Sequence, residues 1–356
     1  MNRLDRYIIR SVLALTALVA LGLVTIYTLV VFISDIGETG KGRYGVLQVL
    51  EYSLLMMPSS LYILLPIVAL LGALLGIGAL ARSSELTAMR ASGVSMLRIG
   101  AATLAAGALL GAFGYVLGDW LGPAGENLAT RLRDEARGEH GSLDRALWLR
   151  DADNILRIRR LIAEDHARDV TVFRTDASGG LSQVSTVDDA RYVDGRWLMT
   201  GVKRTELPAD GSRSGTQVVT LDQIEITGSI TPNVLKLFIL EGDVLSVRGL
   251  YNLVAYMEDN KLDATKYRIW LWRKLVEPVT VMVMMLFAVP FVVGTLRDAG
   301  AGQRLLAGVL VGIVFYVLNK VSVSVGDLYQ WPAPMAAGLP TALLAVLALW
   351  RLRLAR

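Results

Sequence analysis

Within the segment Arg82-Ser83-Ser84-Glu85-Leu86-Thr87-Ala88-Met89-Arg90-Ala91-Ser92-Gly93, Glu85 and Met89 stand one helical turn apart, as do Leu86 and Arg90. Such a short, charged, amphipathic stretch suits contact with a cytosolic partner rather than chemistry of its own. Residue types for self-contained catalysis occur elsewhere without the spacing they need. Gly40-Lys41-Gly42 lacks a Ser or Thr after the lysine and a glycine five residues before Gly40, so it is no Walker site. Two histidines, His140 and His166, cannot supply a paired-His zinc helix or a His-based triad. Asp188 and Asp189 sit in turn-like polar surroundings that read as a solvated loop. There is no cysteine, which removes disulfide and thiolate chemistry. The chain is therefore read as a non-enzyme with no metal site.

The elements that carry this segment belong to a membrane. Of 356 residues, 53% are hydrophobic, and the charges are crowded into a few segments. Six apolar runs are long enough to cross about 30 Å of hydrocarbon: residues 11–33, 54–81, 99–118, 279–296, 305–318 extending to 325, and 333–350. The first is too long for a signal h-region and lacks a convincing cleavage site, so it reads as a retained helix.

Orientation follows from the loops. Arg3, Arg6, Arg10, Arg82, Arg90, Arg98, Arg297, Arg304, Arg351, Arg353 and Arg356 fall on one side, eleven basic residues against three acidic ones, which makes that side cytoplasmic. The segment 122–267 holds 19 basic and 23 acidic residues, so it lacks the positive bias and is expected outside the cytoplasm.

This insert reads as β-structure. Runs at 146–150, 154–161, 170–174, 190–193, 196–202 and 217–226 are rich in β-branched and aromatic residues. Turn signals at Asp151-Ala152-Asp153-Asn154, Ser178-Gly179-Gly180, Asp194-Gly195 and Asp210-Gly211 separate them. Many short strands without intervening helices favour a sandwich or jelly-roll-like domain. Residues 245–260, with Leu250, Leu253, Val254 and Met257 at helical spacing, predict an amphipathic helix returning to the membrane. The resulting organisation is spans one to three in 1–121, with the coupling segment near 82–93, the β domain in 122–267, and spans four to six in 268–356. Gly72 and Gly76, Gly107 and Gly111, Gly114 and Gly118, and Gly308 and Gly312 recur at the four-residue spacing that lets helices approach closely.

At this point the residues resemble a family. Leu4-Asp5-Arg6-Tyr7-Ile8, Leu70-Leu71-Gly72-Ala73-Leu74-Leu75-Gly76 running into Ser84-Glu85-Leu86 and Met89-Arg90-Ala91-Ser92-Gly93, and Gly118-Asp119-Trp120 with Pro123 and Glu126 look like the lipopolysaccharide export permeases. Pro290-Phe291 with Gly294 and Leu296-Arg297, then Phe315-Tyr316-Val317-Leu318-Asn319, are similar to the LptG branch of that family. The resemblance covers both membrane halves, while the β insert matches only in type. It implies an α-helical membrane protein with six transmembrane helices and a periplasmic all-β, jelly-roll-like domain between helices three and four. It also implies a bacterial inner-membrane permease subunit of an ABC transporter, paired with an LptF-like paralogue and driven by an LptB-like ATPase dimer. The cargo would be lipopolysaccharide, taken from the outer leaflet of the inner membrane and passed to LptC-like and LptA-like bridge proteins. ATP and magnesium would be bound by the partner ATPase, with no cofactor in this chain and no nucleic acid as partner.

The same resemblance assigns roles to residues. Ser84, Glu85, Leu86, Met89 and Arg90 correspond to the coupling helix that docks on the ATPase. An anionic glycolipid needs cations at the outer interface, which Lys41, Arg43, Arg131 and Arg133 would supply through charge-assisted hydrogen bonds, beside a cavity lined by the first, second and fifth spans. Where several members carry two adjacent lysines after the first helix, this chain has Gly37 and Glu38. From the residues alone, a secondary transporter or a membrane scaffold with a periplasmic binding domain stays open, although the spans hold almost no ionisable relay.

Overall fold

The computed structural model describes residues 3–138, 142–151, 154–163, 165–176, 180–207, 217–226, 230–232, 234–235, 245–293 and 300–354. The expected turns at Ala152-Asp153, Ser178-Gly179 and Asp210-Gly211, together with His140, Gly294, Leu296 and Arg297, lie outside the described residues. The chain divides into two compact units, residues 1–133 with 265–356, and residues 134–264.

The first unit is helical. Its elements are α1 (Arg3–Ile36), α2 (Val46–Leu55), α3 (Met57–Arg82), α4 (Glu85–Ala91), α5 (Met96–Val116), α8 (Thr265–Val293), α9 (Ala301–Leu328) and α10 (Ala333–Leu354). A π-helical turn, Leu117–Leu121, carries α5 onward into α6 (Gly122–Arg137). Six of these helical stretches are long and apolar enough to cross a membrane, with α5, the π turn and α6 forming the third of them. The two short helices α2 and α6 are additions to the sequence reading, which places a loop at the first and the β domain at the second.

Glycines set how closely the spans approach. A Cβ at Gly76 would lie 2.8 Å from the Val12 Cα, and one at Gly72 would overlap Thr16, so α3 and α1 touch through both glycines. At Gly107 a Cβ would stand 2.9 Å from the Met282 Cα, and at Gly111 2.8 Å from the Pro278 carbonyl, which seats α5 on α8. Gly114 and Gly118 meet Leu65 and Tyr62 of α3, while Gly308 and Gly312 meet Leu71, Leu74 and Ile67 of the same helix. All four glycine pairs thus pack inside the chain, where lipid and protein are equally apolar and close fit supplies the association.

The central cluster joins Leu70, Ala73, Leu74 and Ile77 of α3 to Ile99 and Ala106 of α5 and to Met284, Met285 and Val289 of α8. Among the described residues, two cations are buried where helices meet. Lys274 Nζ donates 2.8 Å to the Gly118 carbonyl in the π turn, and Arg304 Nη1 donates 2.8 Å to the Gly78 carbonyl. A helix that widens into a π turn turns a backbone carbonyl out of its usual ladder, and here the lysine takes it.

The second unit is an antiparallel sheet, β1 (Ser142–Asp151), β2 (Asn154–Ala163), β3 (His166–Thr175), β4 (Leu181–Val193), β5 (Arg196–Glu206) and β6 (Gln217–Ile226), in sequence order. Alternation explains its faces. The row Leu147, Ile158, Val170, Val187, Val202 and Leu221 is continuous across the strands and turns to the core. Tyr256 of α7 (Val247–Asp259) closes that core, and its hydroxyl donates 2.5 Å to the Arg150 carbonyl. Trp197 Nε1 donates 2.7 Å to the Ile230 carbonyl. Strand β4 begins nine residues before the expected run, at Leu181 rather than at residue 190. Asp188 and Asp189 therefore lie in a strand and not in a loop, because Asp189 is neutralised there. It accepts from His166 Nε2 at 2.7 Å, Arg168 Nε at 2.9 Å and Arg191 Nε at 3.2 Å.

Candidate functional site

Local chemistry shapes the segment around α4. Helix α3 ends at Ser83, and Ser84 adopts a left-handed backbone with φ 61°, which turns the chain sharply into α4. At the other end Gly93, with φ +90°, closes a Schellman motif. The Val94 amide donates 3.0 Å to the Met89 carbonyl, and the Gly93 amide donates 3.0 Å to that of Arg90. Ser95 then caps α5, accepting from the Arg98 amide at 3.3 Å. The seven-residue helix is thereby held between two stop signals written in the sequence.

Its faces divide the five residues assigned to it. Leu86 and Met89 are buried in the central cluster beside Ile8, Ile9 and Met96, each apolar side chain contributing about 1.5–3 kcal/mol when fully buried. Ser84 and Arg90 are exposed, with Thr87 and Ala88 between them. Glu85 is half-buried and fixed, its Oε2 accepting from Tyr7 Oη at 2.7 Å and its Oε1 from Ser83 Oγ at 2.8 Å. The Tyr7 and Ser83 hydrogen bonds hold the Glu85 carboxyl below the usual carboxylate range. What α4 offers outward is a small patch of Ser84, Thr87, Ala88 and Arg90, with an ionised Glu85 at its edge.

The four expected phosphate cations lie in the same unit, in the loop after α1 and in α6. Tyr44, almost wholly buried, pins that loop: its hydroxyl donates to the Asp35 carboxylate, and its carbonyl accepts from the Gly40 amide at 3.0 Å. Lys41 is exposed and paired with Glu38, and Arg43 is exposed. Arg131 is exposed on α6. Arg133 turns inward, its Nη1 3.7 Å from Asp35 Oδ1 and 3.3 Å from Tyr52 Oη, with its guanidinium 4.9 Å from the Tyr52 ring centre. Sequence reasoning identified the cations but not Asp35, Tyr44 and Tyr52, whose link to Arg133 crosses between α1, α2 and α6.

Between the first three spans lies an apolar cavity of about 360 Å³, walled by Leu13, Leu21, Leu61, Val68, Leu110 and Phe113 among others. The fifth span, α9, packs on Leu71, Leu74 and Ile67 through Gly308 and Gly312.

Six apolar helices joined by close glycine contacts, with a β domain inserted after the third and a short, capped helix between the second and third, define a polytopic membrane protein. Comparison with known proteins gives the particular family. The model of the family described as lipopolysaccharide export system permease LptF/LptG matches residues 6–354. The lipopolysaccharide export system permease protein LptG of Escherichia coli (strain K12) is 31% identical over 353 residues, covering 98% of this chain and 97% of that protein. The LptG protein of Haemophilus influenzae is 30% identical over 357 residues, covering 99% and 98%. The chain belongs to the LptF/LptG family of permeases and is of the LptG type.

Proposed function

We propose that this chain is one permease subunit of an ABC transporter in a bacterial inner membrane, extracting lipopolysaccharide from the outer leaflet and passing it to a periplasmic bridge. In this reading both termini and α4 are cytoplasmic, and the β domain is periplasmic. A separate LptB-like ATPase dimer binds ATP and magnesium and docks on the outward patch of α4, with Ser84, Glu85 and Arg90 as contacts and Leu86 and Met89 as the buried anchor. An LptF-like paralogue completes the membrane part, and LptC-like and LptA-like proteins receive the lipid. Lys41, Arg43, Arg131 and Arg133 meet its phosphates, Arg133 in an orientation set by Asp35 and Tyr52.

The observation that carries the reading is the build of α4: a helix too short to span anything, stopped by its own caps, anchored by two buried apolar residues, and presenting a polar patch beside a fixed carboxylate. A transporter with neither a nucleotide motif nor an ionisable relay along its spans fits one that receives force through such a surface. Single cysteines in this cysteine-free chain test the sidedness. With an impermeant reagent in intact spheroplasts, Thr186→Cys in the β domain is labelled and Ser84→Cys is protected until the membrane is opened. Labelling of Ser84→Cys alone would overturn the scheme. Purification should also bring down an ATPase and a second six-span chain, which neither a secondary transporter nor a scaffold requires.

A further inference from the structure

The first turns of α1 grip both ends of the segment that contains α4. Tyr7 bonds to Glu85 at its entry, 2.7 Å away, and Asp5 Oδ1 accepts from Arg98 Nε at its exit, 3.1 Å away. Ile8 and Ile9 share a buried cluster with Leu86, Met89 and Met96. The first span therefore cannot shift at this end without α4, nor α4 without it. Between Thr16 and the Asp35 end, Val24 is the one buried residue of α1 among the described residues. Its buried residues after Ile9 are Val12, Thr16, Val24 and Asp35, and only Val12 and Thr16 lie against glycines, Gly76 and Gly72 of α3. Leu18, Leu21, Ile26, Leu29, Val30 and Ile33 are all exposed.

This is the geometry of a lever. From Tyr7 to the contact at Val12 and Thr16 is about 10 Å along a helix, and from there to Asp35 about 30 Å, at roughly 1.5 Å per residue. A stiff helix pivoting at that contact enlarges a displacement about threefold over its length. The far end bears Asp35, the residue that positions Arg133 and is held by Tyr44. We infer that Asp5 and Tyr7 form a strut through which movement of α4 is delivered along the first span to the Asp35–Arg133 end of the membrane unit. The inference rests on the reading that an ATPase acts on α4. Asp5, Tyr7 and Arg98 are positioning residues in this scheme. They transmit force and touch neither nucleotide nor lipid.

The test uses the whole complex, reconstituted with its ATPase and paralogue in liposomes containing lipopolysaccharide. Lipid released and ATP hydrolysed are measured together. Tyr7→Phe with Asp5→Asn removes both polar links while keeping size, and is expected to lower lipid released per ATP by about threefold or more, with assembly and hydrolysis retained. In a chain that keeps Tyr7, Asp5→Arg alone should lower release per ATP, and adding Arg98→Asp should restore it to within about twofold of the parent, because the link is re-formed in reverse. Unchanged release per ATP in Tyr7→Phe/Asp5→Asn would overturn the strut. So would loss of assembly in that variant with no recovery in the exchanged pair, since the contacts would then serve folding alone. Glu85→Lys separates this from the underlying reading. If it releases lipid normally, α4 is not the driven surface and the proposed function fails. If it uncouples while Tyr7→Phe/Asp5→Asn does not, only the strut fails.

Discussion

Helix α3 and helix α1 are both long and apolar, yet 72% of the apolar window of α3 is buried within the chain against 11% for α1, and 22% for α9. In a membrane this contrast does not arise from hydrophobicity, because a leucine meets lipid as readily as protein. It arises from fit. Helix α3 presents Gly72 and Gly76 to α1, receives Gly308 of α9 on Leu71 and Leu74 and Gly312 on Ile67, and lays Leu65 and Tyr62 over Gly114 and Gly118. Helices α1 and α9 keep their large side chains for the outside, Leu21, Ile26 and Leu29 on one and Leu310, Ile313, Val314 and Val317 on the other. The unit thus has a tight centre of α3, α5 and α8 and two peripheral spans with apolar faces turned outward.

The sharpest way to break this contrast is to fill the tight contact. Gly107→Leu places a side chain where the Met282 Cα of α8 already stands and is expected to cost at least about 1–3 kcal/mol, read as a lower thermal midpoint of the purified protein in detergent. Val314→Ala, on the outward face of α9, should stay within about 0.5 kcal/mol. Equal losses at the two sites would erase the distinction between centre and periphery.

A smaller effect sharpens the peripheral side. Photoreactive residues at Val31 and Ile33, near the end of the loosely packed α1, should capture lipopolysaccharide. Capture should fall when Arg43 and Arg131 are both reversed to glutamate, each exposed contact contributing about 1 kcal/mol. Undiminished capture at matched protein levels would make them interface anchors only.

The smallest effect lies in the β domain. Asp189 is partly desolvated, which raises its carboxyl, but the bonds from His166 and Arg168 and the charge of Arg191 outweigh that and hold it below the ordinary carboxylate range. A depressed carboxyl stabilises the fold above its unfolded pKa of about 3.9 and loses that contribution as pH falls through the folded value. Asp189→Asn should therefore cost less than about 1 kcal/mol at pH 7. The difference from the parent should shrink as the solution is acidified through the lowered pKa of the folded carboxyl. A difference that grows on acidification would contradict this.

Much of this architecture was legible along the chain because it is periodic or local. Uninterrupted apolar runs gave the spans, two-residue alternation gave the strands, and Gly93 and Ser95 mark where α4 stops and α5 starts. The glycine pairs were legible as close-packing signals, though not which helices they join. Helix α2 was hidden because Val46, Val49, Leu50 and Leu54 follow a loop rich in glycine and end where α3 begins. Strand β4 was shortened at Asp188 and Asp189, and the partners that neutralise Asp189 lie on β3 and at a neighbouring position of β4. The contacts that organise the candidate site are the least legible of all. Tyr7 and Glu85 are 78 residues apart, Asp5 and Arg98 are 93 apart, and Lys274 and Gly118 are 156 apart. No spacing rule spans such distances, and each pair becomes visible only when the helices are laid side by side.

The central claim is that α4 is the surface through which a separate ATPase drives lipid out of this membrane. It is tested most directly by ATP-dependent release of lipopolysaccharide from liposomes holding the complete complex, comparing the parent with Glu85→Lys. Glu85→Lys also breaks the bonds from Tyr7 and Ser83, so the thermal midpoint of the purified chain is measured beside release, and loss of one charged partner at a docked interface weakens the docking beyond any change in the fold. The expected result is that Glu85→Lys complexes assemble poorly, or assemble and hydrolyse ATP while the lipid stays in the bilayer. Normal assembly and release at the parental rate from Glu85→Lys complexes would contradict it.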